Sequence, residues 1–250
     1  MALLIEKLLG LVMVLTRISA FFLVVPVFGW LSIPVRIKVA IVFLLSIFFS
    51  MAMSLPFDAG QVSPLEAILL ISNEAIYGLS LGLIVAFVFA AVKLSARIVE
   101  REIGFAMAEI LDPLTGETTQ PLSSLLEMIF VILFLSANGH HLLLSIISRS
   151  YEAFPAGSIP TTTILTNGII QAGSVMLISS LKLAAPILAA FLLLMVILAV
   201  LARIEPEMNI LFISLPMRVG LGFLMVIIFL PFFSSYLSEF ANLMNKLLPI

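Results

Sequence analysis

Six long apolar stretches dominate the hydrophobic pattern of the 250-residue chain, and polar residues gather between them. Each stretch approaches or exceeds the roughly 20 residues that a helix needs to cross the hydrocarbon core of a bilayer. The stretches are apolar on every face, whereas a strand of a membrane barrel would alternate polar and apolar positions. The pattern therefore predicts an all-α, multi-helix integral membrane protein with about six long hydrophobic helices. The stretches are residues 3–26, 39–55, 65–92, 122–147, 172–202 and 210–237.

Composition supports the same fold class. The chain is 62% hydrophobic and 10% charged, with a mean hydropathy of +1.29, so it has too few polar residues to cover a water-soluble surface. The net charge is only -2 and there is no basic stripe, which argues against nucleic acid as a partner. Cysteine is absent, which excludes disulfides and thiolate metal sites. Membrane lipid and other protein chains are the expected surroundings.

The chain carries no sequence pattern typical of an enzyme, a metal site or a cofactor site. His140 and His141 are the only histidines, and adjacent helix residues point about 100° apart, so they cannot grip one metal from a regular helix. Asn138-Gly139, just before them, predicts a turn or a backbone break. P-loop, dinucleotide and GxSxG motifs are missing. We therefore expect a non-enzyme without a bound metal or cofactor.

Arg17 lies about fifteen residues into the first apolar stretch, too deep to reach water easily. It therefore requires a partner, and Glu74 or Glu127 could supply the carboxylate. One interpretation is a role in ion translocation. The other, which we favour, is a structural buried charge that pairs with an acid or caps carbonyl groups at a contact.

Two patterns in and after the third stretch concern packing and solvent. Gly78 and Gly82 form a GxxxG spacing, which lets the backbones of two helices approach closely. Charges at helical spacings of three and four then predict a face that touches water or acidic partners. These charges are Lys93, Arg97, Glu100 and Arg101.

The segment 104–121 is a poor solvent loop, because its first half is apolar and its second half is broken by Asp-Pro and Thr-Gly. With Gly104 as a hinge and Asp112-Pro113 as a stop, it could fold inward and fill a lumen with deformable side chains. An ordinary re-entrant or interfacial connection fits these residues equally well. The candidate plug residues are Gly104, Phe105, Met107, Ile110, Asp112 and Pro113.

Several short strings occur in a characteristic order along nearly the whole chain. They are Arg17-Ile-Ser-Ala-Phe-Phe22, Pro26-Val-Phe-Gly29 and Ile33-Pro34-Val-Arg36; Ile103-Gly-Phe-Ala-Met-Ala108 with Asp112-Pro113; Asn138-Gly-His-His141 with Ser150 and Pro155-Ala-Gly157; and Pro206-Glu-Met-Asn209 followed by Pro216. In this order and over this length, they resemble the FliR family of flagellar export-apparatus proteins, which is also represented in injectisomes.

The resemblance implies one membrane domain over residues 1–250, with a FliP-like portion at 1–171 and a FliQ-like helical hairpin at 172–250. It implies a subunit of a type III export gate that completes a helical ring with FliP and FliQ subunits and passes unfolded export substrates. The segment 104–121 would be the plug-like loop that helps to close the pore. The location would be the bacterial inner membrane, within a flagellar basal body or injectisome base, with part of the complex projecting to the periplasmic side.

The resemblance also assigns a partner contact to the tip of the hairpin, near the entrance where FlhB wraps. Its residues are Arg203, Glu205, Pro206, Glu207 and Asn209; Glu207 stands where many relatives carry Gln. The alternative function is a subunit of an ion-coupled secondary transporter or channel of another class. In that case Arg17, Glu74 and Glu127 would form an ion site at the membrane midplane, although the two halves show no evident inverted repeat.

Overall fold

The chain folds into helices joined by short connections. The computed structural model describes residues 2–29, 34–52, 63–104, 120–158, 162–207, 209–231 and 236. The helices are α1 (Ala2–Val24), α2 (Pro26–Gly29), α3 (Val35–Ala52), α4 (Pro64–Ile103), α5 (Pro121–Ser136), α6 (Gly139–Ala153), α7 (Thr162–Ile204) and α8 (Ile210–Phe229). The described residues contain no strand. The predicted all-α class is therefore confirmed.

Local sequence signals explain where the helices begin and end. Ser63 and Glu66 form a capping box at the start of α4: the Ser63 N–H donates to Glu66 Oε2 at 2.8 Å, and the Glu66 N–H donates to Ser63 Oγ at 3.3 Å. Pro64 occupies the first helical position, where a missing N–H costs nothing. Gly104 ends the same helix with φ of 101°, a left-handed conformation that glycine adopts without strain.

The predicted membrane segments are largely recovered as helices. Each of the six apolar stretches contains helix, and the fourth is divided at Asn138, whose φ is 60°. The predicted break at Asn138-Gly139 is thus confirmed. Within the described residues, four helices are long and apolar enough to cross a membrane, or five if α5 and α6 count as one broken span. The four candidate spans are Lys7–Val24, Pro64–Ile103, Leu165–Ile204 and Phe212–Phe229. These helices fit a multi-helix membrane protein.

The described residues form two compact units. The first unit takes its described residues from 1–88 and 137–174, and its core joins α1, the first half of α4 and α6. The second takes its described residues from 89–136 and 175–240. Its core joins the end of α4 with α5, α7 and α8, and centres on Ile103, Leu126, Phe191 and Leu198. The division at residue 171 into two family-like portions stays a prediction.

Candidate functional site

The first unit contains a buried charge centre, which we call the Arg17 centre. Arg17 on α1 and Glu74 on α4 are 2% and 1% exposed, and they form a two-pronged ion pair. Arg17 Nε donates to Glu74 Oε2 at 2.5 Å and Nη2 donates to Oε1 at 3.0 Å. The paired geometry uses the planar fork of the guanidinium, which makes the contact strong and directional.

The third arm of the guanidinium caps the end of α6. Arg17 Nη1 donates to the backbone carbonyls of Ser150 at 3.3 Å and Phe154 at 3.0 Å. These carbonyls lie at a helix C-terminus, where the negative end of the helix dipole favours a cation. A further lone pair of the carboxylate is used as well, because the Gly157 N–H donates to Glu74 Oε1 at 2.8 Å. The centre therefore joins α1, α4 and α6 through one ion pair.

Two tyrosine rings enclose the guanidinium. The Arg17 Cζ atom lies 4.6 Å from the ring centroid of Tyr77 and 4.1 Å from that of Tyr151. An aromatic face attracts a cation, and the attraction grows when water is excluded. Tyr151 Oη also donates to the Val14 carbonyl at 3.4 Å. With hydrogen bonds in its plane and rings against its faces, Arg17 is satisfied inside the subunit, as a structural buried charge requires.

The Arg17 centre gathers residues that are far apart in sequence, some of which belong to the strings quoted above. Arg17 comes from the first group of strings and Ser150 and Gly157 from a later one; Glu74, which belongs to no string, accepts from both Arg17 and Gly157. Of the two carboxylates predicted as partners for Arg17, the structure pairs Glu74 with it. Glu127 pairs instead with Lys93, whose Nζ lies 2.7 Å from Glu127 Oε2.

Two glycines of α4 allow α1 to come close enough for this pairing. A Cβ built at Gly78 would overlap the backbone carbonyl oxygen of Arg17, and at Gly82 it would lie 2.9 Å from that of Phe21. Because the obstructing atoms belong to the backbone of α1, a side chain at either position would force the helices apart. The predicted close approach at the GxxxG spacing is confirmed, and α1 is its partner.

A second buried carboxylate, on Glu100, corrects the prediction of a solvated charged face. Glu100 is 4% exposed and accepts hydrogen bonds at the start of α5: from the Leu122 N–H at 3.1 Å, from the Ser123 N–H at 3.4 Å and from Ser123 Oγ. The assignment of Glu100 to a water-facing stripe was therefore wrong. The open N–H groups at the start of α5 attract a carboxylate. Arg97 and Arg101, from the same series, are exposed as expected.

The candidate plug is described only at its borders. Gly104 terminates α4, donating its N–H to the Arg101 carbonyl at 3.2 Å, and Gln120 precedes α5. The Glu100 carboxylate thus links the helix that leads into this segment with the helix that follows it. The other candidate plug residues lie outside the described residues: Phe105, Met107, Ile110, Asp112 and Pro113.

The candidate partner contact lies in the connection between α7 and α8. All five of its residues, Arg203, Glu205, Pro206, Glu207 and Asn209, are exposed. The Glu205 N–H closes the last turn of α7 on the Leu201 carbonyl at 3.0 Å, and Pro206 and Glu207 form a turn. The charged side chains at this tip are therefore accessible to another chain.

Metal chemistry finds no support within the described part of the chain. The rings of His140 and His141 lie 4.2 Å apart in the first turn of α6. No group of three or more potential metal-ligating side chains occurs among the residues that the structure describes.

An all-helical fold with long apolar helices and a buried ion pair defines a multi-helix membrane protein. Residues 8–244 match the model of the family described as "Bacterial export proteins, family 1", and the chain belongs to this family. It is therefore a component of a bacterial export apparatus, and the resemblance to FliR found in the sequence is confirmed.

Characterised relatives come from two kinds of export system. The chain is 27% identical to the flagellar biosynthetic protein FliR of Escherichia coli (strain K12), covering 94% of this chain and 90% of that protein. It is 29% identical to FliR of Bacillus subtilis (strain 168), covering 86% and 84%. It is also 30% identical to the Yop proteins translocation protein T of Yersinia pestis, covering 72% and 69%. The family description and these names denote export or flagellar biosynthesis, not catalysis.

Proposed function

We propose that this chain is the FliR-type subunit of a type III export gate in the bacterial inner membrane. It assembles with FliP and FliQ subunits into the channel core that passes unfolded export substrates, and FlhB binds near its cytoplasmic entrance. The observation that carries the proposal is the family match over residues 8–244, together with relatives from flagellar and Yop systems.

The exposed apolar surface of α7 and α8 supports the proposal that the subunit packs against other protein chains in a complex. In the apolar 18-residue stretches of α7 and α8, only 28% and 11% of the residues are buried within the subunit. Pro186 and Pro216 lie inside these helices, and each leaves a carbonyl without its usual N–H partner. Lipid can cover apolar side chains but cannot satisfy a carbonyl, so neighbouring protein is the better cover for these positions.

The lengths of α4 and α7 also fit a complex that extends beyond the bilayer plane. The two helices have 40 and 43 residues. At 1.5 Å per residue they are about 60 Å and 65 Å long, roughly twice the thickness of a hydrocarbon core. Helices of this length tilt strongly, bend or project from the membrane. Helices of this kind fit a gate that projects to the periplasmic side.

We also propose that the segment 104–121 helps to close the pore at rest. An apolar constriction holds back ions because water is unfavourable in it, and Phe105, Met107 and Ile110 supply such a surface. Gly104 provides the change of backbone direction at the end of α4, with φ of 101°. Flexible methionine side chains also yield to a passing chain.

The alternative of an ion-coupled transporter receives no support from the charge pairing. Its ion site would require Arg17, Glu74 and Glu127 to act together. Glu74 accepts from Arg17, whereas Glu127 pairs with Lys93, so each carboxylate is neutralised by a different cation. We retain the export function alone.

Two measurements test the proposal. Purification of the tagged chain in mild detergent, followed by mass spectrometry, should recover FliP, FliQ and FlhB subunits; recovery of none of them would contradict the assembly. Deletion of residues 105–111 should then raise ion or dye leakage in cells that still assemble the ring. A tight membrane in cells with an assembled ring would contradict the plug while leaving the assembly intact.

A further inference from the structure

Arg218 is a charged side chain in an otherwise uncharged helix. It lies eight residues after the start of α8, about two turns along the helix. Its side chain is half-buried, and its Nε atom is fully buried without a hydrogen-bond partner among the described residues. A guanidinium stays charged in proteins, and a buried charged donor without an acceptor is costly. The described subunit therefore leaves this donor unsatisfied.

The surroundings of Arg218 form an open groove between α7 and α8. The groove has a volume of about 390 Å³ and is lined by Met195, Leu198, Ala199, Ala202, Ile210, Ser214 and Arg218. Ala199, Ala202 and Ser214 are small, and small residues let a second helix approach closely. Met195, Leu198 and Ile210 give the groove its larger apolar side chains. The groove combines an apolar wall with one cation whose Nε atom has no hydrogen-bond partner among the described residues.

The charge pattern excludes a second copy of this hairpin as the occupant. Neither α7 nor α8 contains an aspartate or a glutamate. Two copies packed through these helices would bring one arginine toward another and supply no carboxylate. An occupant that pairs with Arg218 must therefore bring a carboxylate that this hairpin lacks.

The depth of Arg218 favours a protein carboxylate over a lipid phosphate. Arginine side chains near a helix end reach the headgroups by extending along the helix. Arg218 lies about two turns inside α8, and it lines the groove with its Nε atom fully buried. An acidic side chain on an adjacent helix can meet it at this level.

We propose that the groove between α7 and α8 docks an apolar helix of another membrane subunit, and that this helix carries an aspartate or glutamate that pairs with Arg218. The inference rests on the proposed assembly for the existence of that subunit, and it adds the chemistry of the contact. A carboxylate accepts two parallel hydrogen bonds from a guanidinium, which fixes its position. Apolar helices alone can slide along each other, whereas one buried ion pair sets their register.

The test compares Arg218→Met, Arg218→Lys and a matched control in the full chain. Lys182→Met removes an exposed cation from α7, outside the groove, and serves as the control. Quantitative mass spectrometry of the purified complex should show that Arg218→Met weakens association by about 30-fold or more, because the partner's carboxylate is left buried and unpaired. Arg218→Lys should restore part of the association, and the Lys182 variant should match the wild type.

A measurement on the isolated chain separates docking from folding. Arg218→Met removes an unsatisfied donor, so the monodisperse fraction of the isolated chain in detergent should equal or exceed that of the wild type. Loss of this fraction would mean that Arg218 stabilises its own subunit, and would overturn the inference. A photo-crosslinker at position 217 or 219 should capture a protein helix; exclusive capture of phospholipid would also overturn it.

A charge reversal identifies the carboxylate. Export by an Arg218→Glu variant should fail, and selection for restored export should yield an acidic-to-basic substitution in an apolar helix of another subunit. Normal association of the Arg218→Met chain would overturn this inference alone. A wild-type chain that recovers no membrane subunit would overturn the proposed assembly and this inference with it.

Discussion

Arg17 and Arg218 both lie within apolar helices, but only one of them is satisfied by its own subunit. Arg17 has a carboxylate, two backbone carbonyls and two aromatic rings around it. Arg218 has a buried Nε without a partner among the described residues, beside an open groove. The difference separates two uses of a charge in an apolar setting. A closed centre stabilises the fold of the subunit, whereas an open one prepares a contact with another chain.

Breaking the Arg17 centre should give the largest effect. Arg17→Met leaves the buried Glu74 carboxylate without its cation, and removal of one member of a buried ion pair typically costs about 3–5 kcal/mol. We expect the chain to be degraded or to fail to enter the complex, as measured by the amount of full-length protein in assembled rings. The Lys182→Met variant controls for simple loss of a positive charge.

The double variant Arg17→Met with Glu74→Met sharpens this prediction. Replacement of a buried ion pair by apolar residues of similar volume often leaves stability nearly unchanged. The amount of full-length protein in assembled rings should therefore be higher for the double variant than for either single variant. If both singles were recovered at the wild-type level, Arg17 and Glu74 would not stabilise the subunit. The contrast with Arg218 would then lose its basis.

Separating α1 from α4 should give the next largest effect. Gly78→Ala places a Cβ against the backbone carbonyl of Arg17, and overpacking of this kind costs about 1–3 kcal/mol. A shift of α1 would also lengthen the contact between Arg17 and Glu74. Gly220→Ala is the matched control, because a Cβ there meets no described atom within 4 Å and alanine favours the helix. The unfolding temperature of the purified complex should fall for Gly78→Ala and stay at the wild-type value for Gly220→Ala.

These regions show which contacts can be predicted from the sequence and which cannot. Arg17 could be recognised as buried because a charge stands alone in a long apolar run, and the two glycines could be recognised by their spacing. The choice between Glu74 and Glu127 could not be made, because it depends on which helices meet α1 in space. Glu100 was misassigned because helical spacing places it near exposed charges. Its burial depends on Leu122 and Ser123 at the N-terminus of α5, 22 and 23 residues later in the chain.

The Glu100 contact predicts an effect of similar size and a measurable coupling. Glu100→Gln loses a charge-assisted hydrogen bond to the start of α5, which is worth about 1.5–3 kcal/mol, and Ser123→Ala removes its hydroxyl donor. Because the two groups contact each other, the double variant should cost less than the sum of the singles. The measurement is a double-mutant cycle on the unfolding temperature of the purified complex. Strict additivity would mean that the Glu100 carboxylate and the Ser123 hydroxyl do not interact.

The smallest effect on stability is expected at the exposed tip between α7 and α8. The double variant Glu205→Lys with Glu207→Lys should change the free energy of unfolding of the complex by no more than about 0.5 kcal/mol. Association with FlhB and export should nevertheless weaken, because the proposed contact there uses accessible carboxylates that pair with a cytoplasmic partner. Glu152→Lys reverses an exposed charge on α6 and should change neither FlhB association nor export. Because it reverses one charge, it is compared with the single variants Glu205→Lys and Glu207→Lys. Raising the salt concentration should weaken wild-type association in the same direction, since exposed charge pairs are screened. Unchanged FlhB recovery and export in the double variant would remove the tip from the partner contacts, and the unsatisfied Arg218 groove would then stand as the docking surface of this helix pair.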